Sequence, residues 1–289
     1  MPVDLHSHSI ASDGSESPAK VVEMAANAGL GAIALTDHDI LSGLAEARTA
    51  ADAFGIEVVP GVELSLDWSA HHPATGEGGG MHLVVLFVDD VPGPLQDRLH
   101  GLRQGRDDRN LLILERLAAL GLEVTMDEVL NRAGTGSVGR PHIAGVMVDR
   151  GYVPDIASAF MLYLGNRGPA YVGRPRLEVG EALDLARRSG GVSILAHPYT
   201  LGFEDDNHLE TLLSTLAEMG LHGLESHHSG VEPHRRSVLH RMASRRGLAS
   251  SGGSDFHGSY KPGIEIGVGI GDLSVPEHFL EELRERAGK

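Results

Sequence analysis

The chain has 289 residues, long enough for one large α/β domain with an insertion or for two ordinary domains, and its 41% hydrophobic content supports a buried core. With 40 acidic against 24 basic residues the formal charge is −16, which argues against nucleic-acid binding over a broad basic surface. An anion at a metal-rich pocket stays open, because bound divalent ions invert the local charge. There is no cysteine, so disulfides and thiolate ligands are excluded and any metal site must draw on the 17 histidines and on carboxylates. Asp4 and His6 interrupt any leader-like pattern and no apolar run reaches membrane-spanning length, so a cytoplasmic protein is expected.

The first stretch, Val3-Asp4-Leu5-His6-Ser7-His8, predicts a strand. Alternate residues of a strand share a face, so His6 and His8 point one way while Val3 and Leu5 enter apolar packing, and Asp13 follows within reach. Imidazole and carboxylate are ordinary ligands for zinc, manganese and iron. Ser17 and Pro18 then start a helix that ends at Gly29, and the short apolar strand Gly31 to Thr36 delivers Asp37-His38-Asp39. A second helix over 42–54 leads to the strand Ile56 to Ser65, with Glu63 toward its end. Strand, helix, strand, helix, strand predicts a parallel sheet. Residues 69–80, with His71-His72-Pro73 and three successive glycines, read as a loop whose histidine pair is solvated. His82 opens the next apolar strand, Leu83 to Val88.

Between 91 and 172 the strand signal fades. A helix over 101–120 carries Leu111, Leu112, Leu114, Leu117 and Leu120, and shorter helices are expected over 125–132, 141–150 and 155–164. This segment reads as a helical insertion covering one end of a main domain formed by 1–90 and 173–289. Inside it, Val138-Gly139-Arg140-Pro141-His142 sets Arg140 and His142 at a helix N-terminus, which suits a phosphate seat as well as a plain helix cap. The α/β alternation resumes with a helix over 179–188 and the strand Val192 to Ala196, which delivers His197. A helix over 207–219, a strand bearing Glu225, His227 and His228, and a helix over 232–246 follow. The stretch Leu248 to Ser254 then releases Asp255-Phe256-His257, and a strand near 264–270 and a helix over 276–286 close the chain.

Together the strand ends present His6, His8, Asp13, His38, Glu63, His197, Asp255 and His257, with His82 at the mouth of another strand. In a barrel of parallel strands, functional side chains come from the C-terminal ends of different strands. Repeated delivery of His and Asp after short apolar strands therefore predicts a multinuclear metal centre.

These motifs resemble the PHP superfamily, the polymerase and histidinol phosphatase domain. The resemblance rests on Asp-Leu-His6-Ser-His8 with Asp13-Gly, Leu-Thr-Asp37-His38-Asp39, Gly-Val-Glu63, His82-Leu, Ala-His197-Pro and Gly-Gly-Ser-Asp255-Phe-His257. The insertion, with Gly139-Arg140-Pro141-His142 and Gly168-Pro169-Ala170-Tyr171-Val172, is similar to the branch containing 3′,5′-nucleotide bisphosphate phosphatases and a 5′-to-3′ exoribonuclease. The resemblance implies an α/β fold, a distorted TIM-like (β/α)7 barrel with metal ions at its open end. It implies that His6, His8, Glu63 and Asp255 hold one ion and Asp13, His38 and His257 another, with Glu63 bridging to a position completed by His82 and His197. Two or three divalent ions are expected, manganese foremost, with zinc, iron or magnesium as other occupants.

The activity expected is hydrolysis of phosphate esters of small nucleotides or short oligoribonucleotide ends by a hydroxide held between the ions. No side-chain nucleophile is then required, in keeping with the lack of a Gly-x-Ser-x-Gly motif. Glu63, His197 and His228 are the catalytic candidates, His228 for orienting substrate or donating a proton, while Arg140 and His142 are the candidates for binding phosphate. An amidohydrolase, a histidinol-phosphatase-like enzyme and a nucleotide-binding module without turnover are the alternatives. The oligomeric state is not readable from the sequence.

Overall fold

The computed structural model describes residues 1–68, 80–88, 91–134, 138–173, 176–203 and 205–289. The loop containing His71 and His72 lies outside the described residues. Seven strands form a nearly closed barrel: β1 (Val3–Asp4), β2 (Ala32–Leu35), β3 (Glu57–Asp67), β4 (Met81–Leu86), then β6 (Val192–Leu195), β7 (Gly223–His228) and β8 (Ala249–Gly253). A two-residue β5 (Leu177–Glu178) pairs with the far end of β3. Past Asp4 the chain leaves β2 and runs beside β8, where Leu5 N donates to Gly252 O (2.9 Å) and Ser7 bridges Phe256, closing the circle.

The barrel departs from the expected parallel sheet at one strand. β4 runs antiparallel to both β3 and β6, whereas the remaining barrel neighbours pair in parallel. β4 follows β3 in the chain and pairs with it antiparallel, from Gly61 opposite Leu86 to Leu66 opposite Met81, whereas a parallel pair would need a crossover connection. The strand expected near 264–270 is absent; this segment is a turn in which Glu265 and Gly269 exchange backbone hydrogen bonds of 2.8 Å each. Gly267, Gly269 and Gly271 all have positive φ there, which favours a tight turn over an extended strand.

Side chains alternate along the strands between two cores. Ile33, Leu35, Leu83, Val85 and Leu195 pack with the apolar faces of α1 (Pro18–Asn27), α2 (Leu44–Phe54), α7 (Val179–Arg188), α8 (Asp206–Glu218) and α9 (Pro233–Arg245). Ala32, Ala34, Val84, Leu86 and Ile194 turn to the other core, with Phe279 and Leu283 of α10 (Glu277–Arg286) packed against it. Two helix starts are built from local chemistry: Ser17 accepts from Lys20 N to cap α1, and Thr125 and Glu128 form a reciprocal capping box on α4 (Met126–Ala133).

The helical segment starts earlier than its leucine pattern indicates, because α3 spans Pro94–Ala119. Its first half (Leu95, Leu99, Leu102) packs in the outer barrel core, while Ile113, Leu114 and Leu117 join a third core with α4, α5 (Arg140–Asp149) and α6 (Ile156–Ala159). A π-helical turn, Phe160–Leu164, continues α6. No helix of the described residues is long and apolar enough to cross a membrane.

Candidate metal centre

The open end of the barrel gathers every strand-end residue singled out above. Glu63 is at its middle, 1% exposed. Its Oε1 lies 2.9 Å from both His82 Nδ1 and His197 Nε2, and its Oε2 lies 3.1 to 3.3 Å from His38 Nδ1, His8 Nε2 and His6 Nε2. Asp255 Oδ1 stands 3.4 Å from His8 Nε2 and 3.7 Å from His6 Nε2. Asp13 faces His257 Nε2 at 3.4 Å, His8 Nδ1 at 3.7 Å and His38 Nε2 at 3.8 Å. Three overlapping groups have all their donor atoms within 4.8 Å of one another: His8, Asp13, His38 and His257; His6, His8 and Glu63; His38, Glu63 and His82. His8 and His38 each belong to two groups, which joins the sets that the family resemblance keeps apart.

This donor set suits divalent cations. Five imidazoles surround one carboxylate, more than its lone pairs can serve as hydrogen-bond acceptors with good geometry. His6 Nε2 and His8 Nε2 face each other at 3.1 Å, and the buried Nδ1 atoms of His8 and His38 make no hydrogen bond of good geometry among the described residues, although His38 Nδ1 lies close to Glu63. Nitrogen and carboxylate oxygen without thiolate suit manganese, iron or zinc better than magnesium, which prefers an oxygen shell.

Electrostatics keep the carboxylates ionised. Burial pushes Asp13, Glu63 and Asp255 up, but the imidazoles, and Lys261 beside Asp255, more than offset it and hold all three well below the ordinary carboxylate range. Burial drives the His38 imidazole well below its usual value, leaving it neutral with a lone pair to offer. Burial also works against charge on His8, yet Asp255, Glu63 and Asp13 raise it to about 9. Without metal the cluster therefore stores protons that a cation displaces.

Backbone strain contributes to the aim of these groups. Asp39, His197 and Asp255 have φ of 54°, 28° and 56°, conformations that side chains other than glycine seldom adopt. Each ends or follows a strand, and the turn redirects the chain so that its neighbours reach the centre. Gly253 matters for another reason: a Cβ there would sit 2.4 Å from His6 N, so only glycine lets β1 and β8 close this tightly.

A second ring of residues positions the first. Glu225, buried on β7, accepts from His6 Nδ1 (2.9 Å) and from the His197 backbone N (2.6 Å), which leaves His6 Nε2 free to face the centre. Asp37 accepts from Ser9 N, Ser9 Oγ and Ser12 Oγ at 2.6 to 2.8 Å and so shapes the loop between His8 and Asp13. Asp39 accepts from Ser65 N (2.9 Å) and from Arg106 Nη2 (2.7 Å), and Arg106 also donates to His38 O (3.1 Å), tying α3 to the rim. His228 accepts from Gly230 N through Nδ1 (2.9 Å), so its proton is on Nε2, 3.3 Å from Asp255 Oδ2.

Glu225, two residues before His227, is a site residue that the strand-end pattern of His and Asp does not single out. Arg106 and Arg109 lie three apart on α3, a spacing that puts both on one helix face. Together with Arg140 and Arg176 they line a cavity of ≈ 340 Å³ that also takes in Asp13, His38 and His82. Arg140 is held in this cavity by a hydrogen bond from Nη1 to Leu164 O (3.0 Å), with its guanidinium 5.5 Å from the ring centroids of both Phe160 and Tyr171. His142 lies beside it in sequence but is turned inward. Its Nδ1 accepts from Gly139 N (3.0 Å), capping α5, and its ring meets Tyr260 edge-on at 5.5 Å.

Known proteins resemble the chain over nearly its whole length. It is 33% identical over 270 residues to a 3′,5′-nucleoside bisphosphate phosphatase of Chromobacterium violaceum, covering 92% of this chain and 90% of that protein. It is 34% identical to a 5′-3′ exoribonuclease of Haemophilus influenzae, covering 88% and 89%. A crystal structure described as a metal-dependent phosphoesterase of Bifidobacterium adolescentis aligns with a TM-score of 0.85 at 27% identity, covering 99% of this chain and 98% of that one. Fold, donor set and likeness together define a metal-dependent phosphoesterase. The PHP domain model matches residues 4–116, and the chain belongs to the PHP family.

Proposed function

We propose that this phosphoesterase hydrolyses phosphate esters of small nucleotides, such as 3′,5′-nucleoside bisphosphates, or of short oligoribonucleotide ends. The observation that carries the reading is the cavity: four arginines, Arg106, Arg109, Arg140 and Arg176, line it together with Asp13, His38 and His82 in a chain of net charge −16. So local a positive lining suits a compact polyanion better than an amide or a long nucleic acid. The names of the Chromobacterium and Haemophilus relatives support the same substrate class.

His6, His8, Asp13, His38, Glu63, His82, His197, Asp255 and His257 would hold two or three divalent ions, manganese foremost. When bound, such ions supply Lewis-acid charge to the phosphoryl group and activate water. The chain's own residues do the rest. Glu225 fixes the tautomer of His6, and His228 holds Asp255 through its Nε2 proton. Arg140, braced by Leu164 O and two rings, offers its remaining donors to a substrate phosphate. His142 secures the helix turn that carries Arg140. Residues 91–172 act as a cap that sets substrate size over the barrel of 1–90 and 173–289, and the enzyme works in the cytoplasm.

The test is product analysis of manganese-loaded protein incubated with adenosine 3′,5′-bisphosphate, AMP and short 5′-phosphorylated RNA. Release of phosphate from the bisphosphate, or of mononucleotides from RNA, is expected. Inertness toward all three with turnover of an amide panel would replace this reading.

A further inference from the structure

Lys261 lies four residues beyond His257, outside every motif read from the sequence, on the chain that leaves the short helical turn Gly258–Tyr260. Its Nζ is 2.5 Å from Asp255 Oδ2, and the lysine side chain is 40% exposed against 8% for the aspartate. The two oxygens of Asp255 are thus divided: Oδ1 faces His8 and His6, while Oδ2 meets Lys261 and the His228 Nε2 proton. The ammonium also bears on Asp13 and Glu63. Among the described residues it makes no hydrogen bond besides that to Asp255, and an ammonium has three donors.

The backbone under Lys261 is anchored while its stem is not. Ser259 N donates to Ser15 Oγ (2.9 Å) and Ser15 N to His257 O (3.1 Å), which fastens the turn to the loop bearing Asp13. Tyr260 packs on His142 of α5. From this fixed base a flexible four-carbon stem carries a compact charge at the solvent edge of the centre. It is absent from the lining of the arginine cavity, so it approaches the centre by way of Asp255 and not from the side of Arg140.

We propose that Lys261 is a resident counter-cation of Asp255 that metal binding releases to grip an oxygen of the substrate's reacting phosphoryl group. An ion engaging Asp255 through Oδ1 draws on the carboxylate charge that now holds the ammonium at Oδ2, so the hold on the lysine weakens just as a phosphoryl group is recruited. The arginines then hold the more distant part of the substrate. This rests on the phosphoesterase reading of the same site.

Two calorimetric titrations test it, using wild type, Lys261→Met and Lys261→Arg. In the first, manganese is titrated into metal-free protein; Lys261→Met is expected to bind about tenfold more tightly, since no ammonium competes for Asp255. In the second, inorganic phosphate is titrated into manganese-loaded protein; Lys261→Met is expected to bind it about tenfold more weakly, with Lys261→Arg recovering most of the loss. Equal phosphate affinity in wild type and Lys261→Met, or manganese affinity that falls in Lys261→Met, overturns the proposal. If wild type takes up manganese but no phosphate, the phosphoesterase reading itself fails and takes this one with it. The methionine variant keeps the stem volume, and a far-ultraviolet spectrum matching wild type establishes that it folds.

Discussion

Replacing Arg140 probes the substrate side of the centre without touching a candidate metal ligand. One guanidinium nitrogen donates to Leu164 O at 3.0 Å and the plane rests 5.5 Å from the centroids of Phe160 and Tyr171, so the group is already ordered before substrate arrives. Little side-chain entropy then remains to be lost on binding. A hydrogen bond between charged groups is worth about 1.5 to 3 kcal/mol, so Arg140→Ala should lower kcat/KM by about ten- to a hundredfold. Arg140→Lys keeps the charge but forfeits the planar fork and much of the packing on the rings, and should fall between the two. Metal content, read by elemental analysis, should be unchanged in both variants. Kinetics on the best nucleotide substrate decide the matter: Arg140→Ala equal to wild type would refute the phosphate seat, and loss of metal in that variant would refute a role for Arg140 confined to the substrate.

Asp255→Ala and His8→Ala should each lower bound manganese and abolish turnover while circular dichroism still reports a folded barrel; full activity in either contradicts their place as ligands. Arg106→Met should destabilise the protein by about 1.5 to 3 kcal/mol in denaturant unfolding, because it removes the charged hydrogen bond that Arg106 donates to the buried Asp39. An unchanged midpoint would show that the α3 tie carries no stability. The metal-free protein should lose thermal stability as pH rises. His8 titrates at about 9 when folded against 6.5 ordinarily, so the stability it contributes is fully present below pH 6.5 and is lost as pH climbs through 9. Saturating manganese should flatten that decline, since the ion takes the place of the protons, and melting curves across this range with and without metal check both statements.

How much could be read beforehand follows from how local each signal is. His6, His8, His38, His197, Asp255 and His257 stand directly after short apolar runs, and a strand end followed by a polar residue is a feature of neighbouring residues alone. The helix starts at Ser17, Thr125 and Gly139 depend on side chains within four positions, and all three helices form. Nothing local marks Lys261 or joins Arg106 to Asp39, because those partners meet only after the barrel and the helical segment have packed.

The sequence by itself determined the class of fold, the donor atoms available to a metal and the strands that carry them, because apolar periodicity and residue chemistry are written in short windows. Tertiary structure alone decided strand direction and bulge. His82 opens its strand, and in a fully parallel barrel it would stand at the end opposite Glu63; reversal of β4 pairs Ser65 with His82 and brings its ring 2.9 Å from Glu63. On β7 strict alternation would align Glu225 with His227. A register shift between Glu225 and His227 instead turns His228 toward Asp255 and His227 toward Phe279. Both outcomes are settled by which backbone groups on neighbouring strands find partners, and that pairing is a property of the closed sheet, not of any one strand.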